Sequence, residues 1–314
     1  MRKVIEKANL NLLVLVGDIY QIEAIRFGNW FSIARKFIPK SAVFELTQPY
    51  RTTDNNLLTL WDRVRNLDDS ILEVLVKNNY VSKLDESIFN QNNDYEIILC
   101  LNYDGLYGIN NVNRLLQNAN PNVAIVWGIN TYKIGDPVLF NESNIFSPLI
   151  HNNSKGKIKD IRPTKEHIDF DIELEEVLNE EDIVGYNLKL IGTSKSGGSI
   201  ISFSVNKFRS TDEDNDDNDS TIVPFNIAYA ISIHKAQGLE YNSVKIIITN
   251  EIEERITHNI FYTAITRAMN ELKIYWSPET EQFIIKHLKI KNVNRDAYLL
   301  ACKSAIPLNN VKKE

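Results

Sequence analysis

The sequence contains little cysteine, and its two cysteines, Cys100 and Cys302, lie far apart in the chain. Because they form no CxxC pair, neither a disulfide framework nor a zinc site is indicated. The longest aliphatic run, residues 12–16, is far shorter than the roughly 20 residues that a membrane-spanning helix needs. The first residues carry charge but no apolar stretch typical of a signal peptide, so we expect a cytoplasmic protein without a membrane partner.

An excess of positive charge is also missing, because the net charge is −6 at pH 7. This argues against a uniformly basic coat for nucleic acid. It leaves room for a local basic groove, since net charge governs solubility rather than the chemistry of one site. The remaining composition, 43% hydrophobic and 24% charged over 314 residues, is ordinary for a globular protein of one large or two smaller domains.

Several common catalytic and metal-binding motifs do not occur. The nearest approach to a P-loop, residues 192–197, is followed by Gly198 where a lysine is required. The acidic segment 211–220 begins like a calcium loop but has neither the turn glycine nor the closing glutamate, and we expect an exposed, disordered connection there. Without HExxH or GxSxG, the sequence predicts no metal site, no metalloprotease and no serine hydrolase.

Hydrophobic periodicity predicts an α/β fold that is interrupted by a β insertion. The expected strands of the α/β part are residues 12–16, 43–46, 96–101, 244–249 and 272–276. Its expected helices are residues 56–76, 110–118, 258–269 and 278–288. Between residues 132 and 222, short alternating strands separated by turn residues predict a small antiparallel barrel.

Two short polar segments each follow a predicted strand. Gly17, Asp18 and Gln21 come directly after the first strand, and Arg51 follows the second. The carboxyl ends of strands in an open α/β sheet are where ligands bind. A glutamine there can both donate and accept a hydrogen bond, as sensing a phosphate or an attacking water requires. Taken singly, a Gly-Asp turn is more often structural, and a lone arginine in a loop is more often a solvated surface charge.

A third polar segment, AYAISIHKAQGLEY, precedes the strand predicted at 244–249. Hydroxyl, amide and ammonium groups of this kind hold phosphates, and the glycine among them allows a sharp turn. The alternative interpretation is a polar helix start that happens to contain a glycine. The polar residues and the glycine are Ser232, His234, Lys235, Gln237, Gly238 and Glu240.

The fourth segment, IFYTAITRAM, predicts an amphipathic helix. Phe261 and Ile265 would face the core, while Thr263, Thr266 and Arg267 would gather on the opposite face. An arginine held between hydroxyls suits the charge that develops on a γ-phosphate in the transition state. An amphipathic helix with an ordinary arginine is the alternative.

In this order and spacing, the four segments resemble motifs III to VI of superfamily 1 helicases. GDIYQ is similar to motif III, PYRT to motif IV, SIHKAQGLEY to motif V and FYTAITRA to motif VI. The HKAQG form and the small β insertion, with YKIGDPV at its start, resemble the RecD-like branch, the exonuclease V alpha-subunit type. The resemblance covers roughly residues 10–290, and motifs V and VI together are its most specific part.

The resemblance implies a RecA-like motor fold, in which helices cover both faces of a parallel sheet and an SH3-like β-barrel is inserted. Residues 1–44 would be the C-terminal remnant of the first motor domain. Residues 45–131 and 223–290 would form the second motor domain, residues 132–222 the inserted barrel, and residues 291–314 a C-terminal tail.

The resemblance also implies roles for single residues. Arg51 and Arg267 would reach the γ-phosphate of ATP across the motor cleft, and Gln21 would couple that phosphate to the DNA site. These three are the expected catalytic residues. The further ATP contacts implied by motifs III and V are Gly17, Asp18, Gly238 and Glu240. The contacts to single-stranded DNA implied by motifs V and VI are Ser232, His234, Lys235, Gln237 and Thr263.

The sequence departs from the family in one important respect. The phosphate-binding loop and the Asp-Glu pair that holds magnesium precede motif III in the family, and neither occurs here. We therefore expect the C-terminal part of a helicase that uses ATP and Mg²⁺ and moves 5′ to 3′ on single-stranded DNA. Its first motor domain would belong to the same full-length chain or to a separate one.

Alone, the chain is expected to hydrolyse no ATP, because arginine fingers cannot replace the P-loop lysine and Mg²⁺. One alternative is a non-catalytic module, derived from a helicase, that binds nucleic acid or a protein partner. The other is a plain α/β protein whose motifs match by chance.

Overall fold

The structure of the chain is a computed structural model that describes residue 7 and residues 10–23, 29–90, 96–141, 143–207 and 221–304. The acidic segment 211–220, expected to be an exposed connection, lies outside these residues. No helix in the described part of the chain combines the length and apolarity that crossing a membrane requires.

The helices are α1 (Trp30–Ala34), α2 (Asn55–Asn66), α3 (Ile71–Lys77), α4 (Ile109–Ala119), α5 (Ser143–Phe146), α6 (His258–Ile265), α7 (Pro278–His287) and α8 (Asn294–Ser304), with short 3₁₀ helices at Lys40–Ala42, Glu86–Phe89 and Glu253–Arg255. The strands are β1 (Val81–Ser82), β2 (Glu96–Cys100), β3 (Ile125–Trp127), β4 (Asn130–Tyr132), β5 (Pro137–Phe140), β6 (Lys155–Pro163), β7 (His167–Leu174), β8 (Lys189–Thr193), β9 (Ser199–Asn206), β10 (Phe225–Ile227), β11 (Ala230–Ser232), β12 (Tyr241–Ile247) and β13 (Ala268–Tyr275).

A five-stranded parallel sheet with the order β1-β13-β12-β2-β11 carries motifs V and VI. Its central strands β2 and β12 are buried along nearly their whole length. Strands covered on both faces need continuous apolar runs, and these are the runs from which the sequence predicted them. The parallel sheet and its helices confirm the predicted α/β fold class.

One buried ion pair joins the two central strands. Lys245 of β12 and Glu96 of β2 are each 3% exposed, and the Lys245 Nζ lies 2.7 Å from the Glu96 Oε1. The same ammonium donates to the carbonyl of Ile88 at 3.2 Å, and the second carboxylate oxygen of Glu96 accepts from the Ser243 hydroxyl at 3.1 Å. A charged pair survives inside a sheet only when such additional hydrogen bonds satisfy both partners.

A second, antiparallel sheet of six strands has the order β10-β5-β6-β7-β9-β8 and its own core. Strand β7 shows why it forms, since Ile168, Phe170, Ile172 and Leu174 point inward while the residues between them are more exposed. Among the described residues, no strand pairing joins β8 back to β10. The SH3-like barrel and the predicted domain boundaries therefore remain predictions.

The carboxylate of Asp136 fastens the second sheet to the first. This side chain is fully buried and accepts from Gln117 of α4 at 2.6 Å and Asn120 at 2.8 Å. It also accepts from the backbone of Lys133 at 2.9 Å and from the hydroxyl of Tyr229, next to motif V, at 2.8 Å. Burial, followed by the Asp136 charge, raises the pKa of Tyr229, so this hydroxyl keeps its proton and remains the donor.

Two predicted strands are absent. Residues 12–16 and 43–46 run without regular structure, and Leu12, Val16 and Leu46 are 77%, 86% and 91% exposed. A strand needs a neighbour to satisfy its backbone N–H and C=O groups. In the described part of the chain, no strand lies beside either segment.

Two predicted helices are shorter than expected. The helix predicted at 56–76 divides into α2 and α3, because Leu67 adopts a left-handed conformation with φ 53° and the Asp68 carboxylate caps the following turn at Ser70. The helix predicted at 258–269 ends at Ile265, because the chain enters β13 at Ala268 to pair with β12.

Candidate nucleotide and nucleic-acid site

A cleft of about 500 Å³ lies where motifs III, IV, V and VI meet. It brings together side chains that are far apart in the sequence and belong to all four polar segments. Its volume is in the range of ordinary ligand sites. The lining residues are Asp18, Gln21, Pro49, Tyr50, Arg51, Trp61, Glu240, Tyr262 and Thr266.

Arg51 crosses this cleft and contacts both motif V and motif VI. Its Nε donates to the Glu240 Oε2 at 3.0 Å, and its Nη1 donates to the backbone carbonyl of Thr266 at 2.8 Å. The two side chains of this ion pair are 25% and 52% exposed, so a polar ligand can reach both. Behind Glu240, Lys155 of β6 donates to its backbone carbonyl at 3.0 Å, which ties motif V to the antiparallel sheet.

The motif III segment is docked on α6 and motif V by side-chain hydrogen bonds. Asn259 donates to the carbonyls of Ile19 and Gln21 at 3.1 and 2.8 Å. The backbone N–H of Ile22 donates to the Thr263 hydroxyl at 3.0 Å, and Gln237 donates to the Ile22 carbonyl at 2.9 Å. Residues 19–22 therefore have a fixed position although the strand predicted before them does not form.

An aromatic cluster completes this contact. The ring of Tyr20 lies 6.1 Å from that of His258 and 6.0 Å from that of Tyr262, and the Arg65 guanidinium lies 4.6 Å from its centre. The Nε2 of His258 lies 2.8 Å from the carbonyl of Val64, so the neutral ring donates there. Burial lowers the pKa of His258, which keeps this ring uncharged at neutral pH.

The stability of the chain is expected to fall as the pH drops below about 6.5. The unfolded chain takes up a proton at His258 first, because burial lowers the pKa of this ring in the folded state. The stabilisation is thus complete above the unfolded pKa and is lost as the pH falls toward the folded value. Urea unfolding at pH 7.5 and 5.5 should show His258→Gln losing less stability than the wild type between these pH values.

The matched control for this measurement is His234→Gln, because His234 is exposed. It should lose stability with falling pH in the same way as the wild type. An equal pH-dependent loss in His258→Gln and the wild type would contradict the role given to His258.

Arg267 occupies a different position from the one predicted. Thr263, Thr266 and Arg267 are all buried, and Arg267 is fully so, which contradicts the prediction that this face of the helix presents the guanidinium. The Arg267 Nε donates to the carbonyl of Thr263 at 2.9 Å, and its Nη1 donates to the carbonyl of Leu239 at 2.8 Å. The prediction failed because the helix ends at Ile265 and the motif V loop covers Arg267, a contact that a helical wheel cannot reveal.

The Arg267 guanidinium is nevertheless close to the charges of the cleft. Burial, followed by repulsion from Arg51, lowers its pKa to about 10, while Asp18 and Glu240 oppose this shift. At neutral pH the group therefore remains protonated. It forms the wall beneath Arg51 rather than part of the cleft lining.

The five predicted DNA contacts divide into two groups. Gln237 and Thr263 bind the motif III segment, and the buried Ser232 hydroxyl accepts from the backbone of Lys235 at 3.1 Å. His234 is exposed and Lys235 half-buried. A nucleic acid can therefore reach His234 and Lys235 directly, whereas Ser232 and Thr263 are buried and the exposed Gln237 is already bonded to motif III.

The two candidate glycines also differ. Gly238 has φ +86°, a left-handed conformation that favours glycine and turns the chain between Gln237 and Glu240. Gly17 packs against Phe31, whose ring carbons would lie 3.1 Å from an added Cβ. Its close contact is thus with an aromatic side chain.

Sequence reasoning missed several residues of the cleft. Trp61 was assigned only to a helix core, yet it lines the cleft and donates its Nε1 hydrogen to the carbonyl of Ile265 at 3.2 Å. Asn259 lies at the start of α6, and nothing in its surroundings in sequence indicated a contact with motif III. For Tyr262, the available signal was its place within the segment that resembles motif VI.

Comparison with known proteins places part of the chain in a family. Residues 227–275 match the family model of the UvrD-like helicase C-terminal domain. The chain is also similar to the RecBCD enzyme subunit RecD of Buchnera aphidicola subsp. Schizaphis graminum, with 34% identity over 62 residues, or 20% of this chain and 10% of that protein. The matched region thus spans a small part of the relative's length.

Two solved helicase structures are also similar to the chain. Pif1 helicase from Bacteroides in complex with ADP-AlF3 and ssDNA matches 83% of this chain and 57% of its own, with 15% identity and a TM-score of 0.46. Pif1 helicase from Candida albicans matches 85% of this chain and 66% of its own, with 15% identity and a TM-score of 0.45.

The family match begins within β10 and ends with β13, so it contains motifs V and VI completely. These are the segments that supply Glu240, Tyr262 and Thr266 to the cleft and hold Arg267 beneath it. Residues 227–275, with motifs V and VI, therefore match a UvrD-like helicase C-terminal domain.

Proposed function

We propose that the chain is the C-terminal part of an ATP-dependent DNA helicase of RecD-like type, which moves 5′ to 3′ on single-stranded DNA. Residues 45–131 and 223–290 form its second RecA-like motor domain, with residues 132–222 as an SH3-like barrel inserted in it. The observation that carries this proposal is the cleft, in which Asp18, Gln21 and Arg51 meet Glu240.

The cleft fits part of a nucleoside triphosphate. The Arg51 guanidinium offers paired donors that suit a γ-phosphate, and Glu240 offers a carboxylate for ribose hydroxyls. A γ-phosphate can displace Glu240 from Arg51, since this ion pair is partly solvated. Arg267 would support the same phosphate only after leaving its carbonyl partners, so Arg51 is the leading candidate for direct contact.

The chain does not supply the rest of an ATP site. No cluster of three or more potential metal ligands occurs among the described residues, and the sequence contains no P-loop. We propose that Mg²⁺ and the β- and γ-phosphates are held by a first motor domain that faces this cleft. When bound, Mg²⁺ would neutralise phosphate charge there, and this chain would contribute Arg51 and Gln21 from the opposite side.

The test is ATP turnover, measured with and without single-stranded DNA, on the chain alone and mixed with a first motor domain taken from a RecD relative. We expect no turnover by the chain alone and DNA-stimulated turnover by the mixture. The matched control is the same first domain with its P-loop lysine replaced by alanine, which should be inactive.

DNA-stimulated turnover by the chain alone would overturn the proposed division of the motor. If the mixture is also inactive, although the two parts bind each other, the chain is better described as a non-catalytic nucleic-acid-binding module.

A further inference from the structure

A second cavity, of about 390 Å³, lies on the other side of motif V between the two sheets. Helix α4, the β3–β4 hairpin and strands β10 and β11 form its walls. Motif V reaches it through Ser232 and Lys235, whereas none of the residues lining the cleft at Arg51 takes part. The two cavities are therefore separate places on the protein.

Hydrogen bonds fix the walls of this second cavity. Asn113 of α4 exchanges two hydrogen bonds with the backbone of Ala230, at 2.9 and 2.8 Å. Gln117 of α4 donates to the carbonyl of Thr131 in the hairpin at 2.8 Å and to Asp136 at 2.6 Å. A cavity held in this way is formed before a ligand arrives, which lowers the entropy cost of binding.

The charge around the cavity differs from that of the whole chain. The net charge of the protein is −6, yet no carboxylate occurs among the described residues that line this cavity. Two cationic side chains line it, those of the exposed Arg114 and the half-buried Lys235. Two carboxylates outside the lining, those of Asp104 and Asp136, accept hydrogen bonds from lining amides. The cavity therefore favours an anion.

The interior has a different chemistry from the rim. Its floor consists of buried apolar side chains, among them Leu139, Phe225 and Ile231. Tyr103 also lines the cavity and is 50% exposed, so its ring is accessible to a planar group. Side-chain amides that can pair with the edge of a nucleobase complete the lining. They are the exposed Asn130 and Asn226, because the amides of Asn110, Asn113 and Gln117 are already hydrogen-bonded within the protein.

We propose that this cavity holds one nucleotide of a single strand, with its base inside against Tyr103 and its phosphate at Lys235 and Arg114. A cation at the rim, an aromatic ring and amides around an apolar floor suit the three parts of a nucleotide. The proposal rests on the proposed function, because it gives the DNA strand at motif V a place for a base. It adds α4 and the β3–β4 hairpin to the nucleic-acid interface.

The test is binding of a fluorescent oligonucleotide of about eight nucleotides to the full chain, followed by anisotropy. A second probe of the same length carries abasic sugars throughout, so that it has phosphates but no bases. We expect Tyr103→Ala to weaken binding of the normal probe about tenfold and binding of the abasic probe less than about twofold.

Arg114→Gln should weaken binding of both probes equally. It should also reduce the slope of log binding constant against log salt concentration by about one, as the loss of one phosphate contact does. Because Tyr103 and Arg114 are both exposed, we expect the two variants to fold, and a thermal melt checks this. The matched control is Arg255→Gln, which makes the same charge change at an exposed arginine outside the cavity.

The other outcomes separate this inference from the proposed function. If the normal probe binds and Lys235→Gln weakens it, but Tyr103→Ala and Arg114→Gln behave like the Arg255→Gln control, the nucleotide cavity is overturned while the DNA site at motif V stands. If the wild-type chain binds neither probe, both the cavity and the proposed DNA binding are overturned.

Discussion

Arg51→Ala is expected to lower ATP turnover about a thousandfold in a motor reassembled from this chain and a P-loop domain. The guanidinium lies in the cleft, and its partner Glu240 is half-exposed, so the arginine can exchange this carboxylate for a phosphate. The loss should appear in kcat, because the interaction strengthens as charge develops on the transferred phosphate. Phosphate release at saturating ATP and DNA measures it.

Two further variants define what Arg51 contributes. Arg51→Lys keeps the charge but not the paired donors, so it should recover only part of the turnover. The matched control is Arg63→Ala, because Arg63 pairs with Asp68 outside the cleft and should not affect turnover. A reassembled motor that keeps its rate after Arg51→Ala would contradict the assignment.

Arg267→Ala is expected to lower the free energy of unfolding by about 4 kcal/mol. The guanidinium is fully buried, and its removal leaves the carbonyls of Thr263 and Leu239 without this donor. The Thr266 hydroxyl loses another donor at 3.1 Å, and a cavity remains. The lost hydrogen bonds account for most of the cost. Urea unfolding measures it.

Arg267→Met separates the two causes, because it fills most of the volume but donates no hydrogen bond. It should recover only the smaller part of the loss that the cavity causes. If Arg267→Ala unfolds at the same urea concentration as the wild type, the hydrogen bonds of this guanidinium contribute little. If Arg267→Ala is destabilised as expected, ATP turnover of Arg267 variants must be corrected for the folded fraction. Arg51 is then the cleaner probe of the cleft.

The elements that were predicted well from the sequence are those in which buried residues recur at a regular spacing. Strands β2 and β12 are apolar throughout because both faces are covered, and β7 alternates because one face is covered. Helix α4 follows from its own periodicity in the same way. In such cases the burial of a residue depends on its position within the strand or helix, so the local sequence pattern is sufficient to predict the element.

The errors have the opposite cause, since each depends on a partner that is distant in sequence. Residues 12–16 are apolar enough for a strand, but no described strand pairs with them. Thr263 of α6 and Arg267 just beyond it are polar and yet buried, because motif III contacts Thr263 and the motif V loop contacts Arg267. The order of the four motifs predicted that their residues would meet, but not which of them would bind each other.

The docking of motif III has a consequence for the synthesis of the protein. The bond between Ile22 and Thr263 joins positions 241 residues apart. Ribosomes add about 5 to 20 residues per second, so the first partner waits roughly 10 to 50 seconds for the second. During this time residues 19–22 cannot dock on α6. The N-terminal segment therefore stays unattached until α6 has been synthesised, and a chaperone has this interval in which to bind it.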